Sequence, residues 1–120
     1  MGHLGILLFV SPIQHRSPEI AAGLARAAAE GGHSTTIFFL GDGVYNTSRA
    51  MASAELSTVV TRFAELPASV QLINCSTCAR FRGLLEGAIL PNARNGTLED
   101  LSELLSSADR FLTFAQEGAP

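Results

Sequence analysis

The stretch Cys75-Ser76-Thr77-Cys78 carries the residue types and spacing that bear most directly on chemistry. It follows the apolar run Val70 to Asn74, so the pair should sit where a buried strand passes into a helix. A helix N-terminus offers unsatisfied N–H groups and a positive dipole end, both of which favour thiolate over thiol. Arg80 and Arg82 could add to that potential. A thiolate near neutral pH attacks disulfides, persulfides and polysulfides. Helical spacing also brings the two sulfurs close enough for a disulfide after modest adjustment. We therefore take Cys75 and Cys78 as candidate catalytic residues, with Ser76, Thr77 and Arg80 shaping their surroundings. Other readings stand beside this one: two small buried residues, a thioredoxin-type redox motif, or half of a zinc site. Zinc needs two further ligands, and of His3, His15 and His33 only His15 could approach, so neither a metal nor a cofactor is expected.

Composition narrows the setting. The 120 residues hold eight basic side chains, all arginine, against eleven acidic ones, for a net charge of −3. Without lysine, Schiff-base catalysis and the lysine of a phosphate-binding P-loop are excluded. An acidic chain of this kind is a poor nucleic-acid or anionic-membrane binder, because counterion release needs clustered cations. The hydrophobic fraction of 47% argues against disorder, and the length suits a single domain over residues 1–116 with a frayed tail at 117–120. No window approaches the roughly 18–20 apolar residues of a membrane helix, and no leader pattern is visible. The expected location is the cytoplasm, where thiols stay reduced.

Strand-like and helix-like segments alternate along the chain. Leu4 to Val10 is a continuous apolar run, as expected of a strand buried on both faces. Ser17 as N-cap and Pro18 in the first turn open a helix carrying Ile20, Leu24, Ala27 and Ala28, closed by Gly31-Gly32. Thr35 to Leu40 predicts a second strand, followed by the polar loop Gly41 to Arg49. A helix over about Ala54 to Leu66 should turn Leu56, Val59, Val60 and Phe63 inward, ending before Pro67. Val70 to Asn74 is the third strand, and Cys75 to Arg82 a short helix stopped or bent at Gly83. Ala88 to Leu90 should be a small strand or extended crossover, and Pro91 to Gly96 a connection. Thr97 with Asp100 predicts a capping box for a helix bearing Leu98, Leu101, Leu104, Leu105 and Ala108, before a last strand over Arg110 to Phe114.

Strands joined by helical crossovers require a three-layer α/β/α domain around a mostly parallel sheet, here of four to five strands. Ligands of such sheets gather at the carboxyl ends of the strands. That end should carry Ser11 to Arg16, Gly41 to Ser53, and Cys75 onward. Gly41 and Gly43 would permit a tight turn or close backbone approach, and Asp42 could cap or orient. Tyr45 either covers the reacting sulfur or a partner contact, or simply packs with its hydroxyl at the surface. His15 and Arg16 are better read as a solvated loop than as an anion pocket, and Asp100 as a cap rather than a catalytic acid.

Phe38-Phe39-Leu40, Gly43-Val44-Tyr45-Asn46, Cys75 through Arg82-Gly83, and Ala108 to Phe114 resemble, in order and spacing, the DsrE/TusD-like (DsrE/DsrF-like) sulfurtransferases. The resemblance implies a flavodoxin-like, DsrE-type fold. It also implies a sulfur-relay protein that accepts sulfane sulfur as a cysteine persulfide and passes it to an acceptor thiol. Cys75, eight residues before Gly83, matches the persulfide cysteine of TusD-like members. The implied partners are sulfur donor and acceptor proteins or small sulfane-sulfur species. The implied assembly is a homo-oligomer (trimer or hexamer) or a hetero-oligomer, in sulfur oxidation or tRNA thiolation. Two other functions stay open from the residues: a CxxC thiol–disulfide redox protein, and a non-catalytic partner-binding subunit.

Overall fold

A computed structural model describes residues 1–13, 15–53 and 58–115. Five strands form one all-parallel sheet: β1 (His3–Leu8), β2 (Ser34–Phe39), β3 (Val70–Cys75), β4 (Ala93–Gly96) and β5 (Arg110–Phe114). Their order is β4-β3-β2-β1-β5. The chain steps outward from β1 to β4 and then returns to the far side of β1 for β5. All the helix-to-strand crossovers therefore deliver their post-strand loops to one edge of the sheet.

Strand periodicity splits the apolar side chains between two layers. Ile6, Leu8, Ile37, Phe39 and Leu72 cluster with Ala21, Ala22 and Ala25 of α1 (Ser17–Glu30) and with Val60 and Phe63 of α3 (Thr58–Ala64). Three alanines on the inner stripe of α1 let that helix lie close to the sheet, while Phe63 meets Phe39 edge to face at 5.5 Å between centroids. Phe38, Ile73 and Cys75 point the other way and cluster with Leu104 of α5 (Leu98–Ser107). The second layer is thinner, since Leu98 and Leu105 of α5 are exposed.

Several sequence expectations are shifted by non-local or geometric causes. Arg16, not Ser17, stands at the N-cap of α1, because Arg16 is already in helical conformation and its carbonyl accepts the Ile20 N–H at 3.1 Å. The supposed loop after β2 is wound into a 3-10 helix over Gly41–Thr47, followed by the unanticipated α2 (Arg49–Ser53); the expected start of the next helix at Ala54 lies outside the described residues, and its described part is α3. Leu56 and the 117–120 tail lie outside the described residues. Pro91 to Gly96 is not merely a connection: Ala93–Gly96 is the edge strand β4, paired with Leu72 to Cys75. Its Ala-Arg-Asn-Gly sequence shows no apolar alternation because only one edge and part of one face are covered. Ala88 to Leu90 is an extended crossover held by an Ile89–Ser48 bridge and by Leu90 N–H donating to the Thr47 carbonyl at 2.8 Å. The Thr97–Asp100 capping box is formed as expected.

Candidate functional site

Cys75 is the last residue of β3, hydrogen-bonded into the sheet with Gly96 of β4 as its register partner, and also the N-cap of α4 (Ser76–Phe81). Strand parity turns its side chain into the α5 layer, beside Phe38, Ile73 and Leu104, where the residue is 7% exposed. Its sulfur makes no capping hydrogen bond to α4, contrary to the expectation that helix-end N–H groups would hold it. One turn later Cys78 returns to the same place, half-buried and touching both core layers. Both cysteines are free thiols, and Cys78 packs against the cluster that holds Cys75.

The 3-10 helix supplies the opposite wall. Gly41 adopts φ +55°, a left-handed conformation that favours glycine. Gly43 lies so close to the Leu8 carbonyl that a Cβ would collide with it, which keeps the 3-10 segment flat across the end of β1. Asp42 accepts from Arg82 Nε at 3.0 Å, and Arg82 also donates to the Cys78 carbonyl at 3.1 Å. Arg82 therefore ties α4 to the 3-10 segment around the thiols. Burial pushes the Cys78 thiol above the ordinary thiol range; the Gly41 N–H opposes this, the neighbouring Cys75 adds to it, and Arg82 opposes it more weakly.

Of the 3-10 residues, Asp42 reaches the cysteine-bearing helix through Arg82, whereas Gly43 packs on the Leu8 carbonyl; Ser76 and Thr77 lie on the first turn of α4. Tyr45 packs against the α1 layer rather than the Cys75 cluster. Arg80 is exposed on α4, whereas Arg82 is the arginine that contacts the site. His15 lines a separate open crevice with Phe9, Ser11 and Asp42. Among the described residues no three His, Cys, Asp or Glu side chains gather in a group that could hold a metal ion, and no helix is long and apolar enough to cross a membrane.

Sequence reasoning missed a buried amide network under the pair. Asn74, fully buried, donates from Nδ2 to Thr47 Oγ1 at 2.8 Å and to Asn95 Oδ1 at 3.1 Å. Asn95 donates onward to the Leu84 carbonyl at 3.1 Å, and Thr47 to the Val44 carbonyl at 2.9 Å. Asn46 donates to the carbonyls of Val10 and Gly43 at 2.9 and 2.8 Å. These bonds join the ends of β1, β3 and β4 to the 3-10 segment. The available signal was an asparagine closing an apolar strand immediately before a cysteine, since a buried amide must find partners.

A parallel α/β sheet with a thiol pair at the carboxyl end of a central strand places the protein among open α/β domains that work at their strand ends. The DsrE/DsrF-like family model matches residues 3–114, and the chain belongs to that family. Its structure is similar to that of the ychN protein from E. coli, with a TM-score of 0.74 and 24% identity, covering 95% of this chain and 100% of that one. A protein of unknown function, MTH1491 from Methanobacterium thermoautotrophicum, aligns with a TM-score of 0.70 at 12% identity over 95% of this chain and 100% of its own. BT1422 from Bacteroides thetaiotaomicron, also of unknown function, gives 0.67 at 17% identity, covering 92% and 94%. No curated protein matches the sequence.

Proposed function

We propose that this protein is a sulfur carrier that holds sulfane sulfur as a persulfide on Cys75 and delivers it to an acceptor thiol. Membership of the DsrE/DsrF-like family supports a sulfur-relay role, and the observation that carries it to these residues is the packing of two free thiols into one cluster at the end of β3. In loading, a cysteine thiolate attacks the outer sulfur of a donor persulfide or polysulfide; the donor S–S bond breaks and the donor thiolate leaves. In unloading, an acceptor thiolate attacks the terminal sulfur of the protein's persulfide, that S–S bond breaks, and the cysteine leaves as thiolate. No net oxidant is needed. The proposed donors and acceptors are sulfane-sulfur species, free or on partner proteins in the cytoplasm, and the proposed working form is an oligomer.

The same packing supports a second reading. Cys78 could attack the inner sulfur of a Cys75 persulfide, expel hydrosulfide and leave a Cys75–Cys78 disulfide, giving a thiol–disulfide couple. Intact-protein mass spectrometry after incubation with sodium polysulfide separates the two. The carrier gains whole sulfur atoms that mild reduction removes and that a Cys75→Ser/Cys78→Ser double variant never acquires. Loss of two hydrogens as the sole change would replace the carrier with the redox couple.

A further inference from the structure

We propose that Cys78 is the receiving thiol and Cys75 the storage thiol, so that sulfur enters on the outer cysteine and is passed inward; this rests on the carrier reading above. Attack on a donor S–S bond requires the attacking, central and leaving sulfurs to lie nearly in line, which demands an open approach to the attacking thiol. Cys75 lacks that approach. It is 7% exposed, its backbone pairs with Gly96 of β4, and Phe38, Ile73 and Leu104 around it are 0%, 3% and 4% exposed. Cys78 is the more exposed of the two and stands on the short α4, whose C-cap Arg82 is followed by Gly83 at φ +73°.

The chemistry of the two environments differs in the same sense. On the Cys78 side Arg82 donates to the Cys78 carbonyl at 3.1 Å and to Asp42 at 3.0 Å, so the outer thiol is framed by polar groups, and burial keeps it a thiol at rest. Cys75 has an apolar wall instead, which shields a terminal sulfur from stray thiols. Transfer between them is balanced: Cys75 attacks the terminal sulfur of the Cys78 persulfide, the Cys78 S–S bond breaks, and the Cys75 proton passes to the departing Cys78 thiolate. The products are a Cys75 persulfide and a Cys78 thiol, with no oxidant or reductant consumed. Delivery to an acceptor runs through the same steps in reverse.

The test uses the whole protein with sodium polysulfide as the probe, following sulfur uptake by rapid quench and intact mass. Cys78→Ser, with Cys78→Ala as a second variant and thermal unfolding as a check on the fold, should load at least ~10-fold more slowly than the natural protein. Cys75→Ser should load at its outer thiol but lose the sulfur to added glutathione at least ~10-fold faster, because the shielded site is gone. Iodoacetamide, which needs no sulfur chemistry, should alkylate Cys78 before Cys75. Unimpaired loading of both folded Cys78 variants, or alkylation of Cys75 first, overturns the order while leaving the carrier reading intact. Natural protein that takes up no sulfur, with Cys78 still alkylated first, overturns the carrier reading and the order with it.

Discussion

Replacing Asn74 by alanine should destabilise the protein by about 2–4 kcal/mol, a fall in Tm on the order of 10–15 °C for a domain of this size. Two hydrogen bonds disappear, to Thr47 Oγ1 and Asn95 Oδ1, each with a net contribution of about 1 kcal/mol. Asn95 Oδ1 is then left without its donor in a part-buried position, at a further cost of about 1–3 kcal/mol. Against this, Asn74 Oδ1 is buried with no partner among the described residues, and its removal returns about 1 kcal/mol. Thr47 keeps its own bond to the Val44 carbonyl, which limits the damage on that side. Urea denaturation should show a lower midpoint at unchanged slope. Asn74→Asp preserves the size but replaces the amide donors with a carboxylate facing Asn95 Oδ1, so it should be at least as destabilising at neutral pH. It should recover partly in acid, where the protonated carboxyl can donate. An Asn74→Ala protein within ~0.5 kcal/mol of the natural one would refute the idea that this network holds the strand ends together.

Three further outcomes follow from the same geometry. Gly43→Ala should cost about 1–3 kcal/mol and slow sulfur uptake, because its Cβ meets the Leu8 carbonyl and must lift the 3-10 segment away from Cys78; unfolding midpoints together with uptake rates check this. Because Cys78 is held as a thiol beyond the ordinary range, its alkylation rate should climb with pH through neutrality without levelling until alkaline pH, and Arg82→Gln should move that profile further up; a plateau near pH 7 would contradict the assigned environment. Asp100 is drawn below the usual carboxylate range by Arg94 and the Thr97 N–H, so its contribution is fully present above the unfolded pKa and lost as pH falls through the folded one. Asp100→Ala should therefore cost about 1 kcal/mol at pH 7, and the gap should close on acidification in pH-dependent urea melts.

The parts of this protein legible in its sequence are those governed by short-range chemistry. The runs beginning at Leu4, Thr35 and Val70 read as buried parallel strands and are so, though the first two stop at Leu8 and Phe39, short of the Val10 and Leu40 expected. Gly31-Gly32 and the Thr97–Asp100 box end and begin helices through bonds within a few residues. The cysteine spacing brings two thiols together on one turn wherever that turn is placed. Tertiary structure alone decided the rest. The edge strand Ala93–Gly96 is a strand only because β3 offers it a partner, and its polar sequence carries no periodic signature of that pairing. Asn74, Thr47 and Asn95 form a network across sequence separations of 27 and 21 residues, which no local pattern encodes. The difference between the thiols is of the same origin: strand parity turns Cys75 under Phe38 and Leu104, while the 3-10 segment, tied to α4 by the Asp42–Arg82 pair, comes up beside Cys78 from a distant part of the chain. Spacing could bring two sulfurs together, but only the packing of separate elements makes one of them buried and the other reachable.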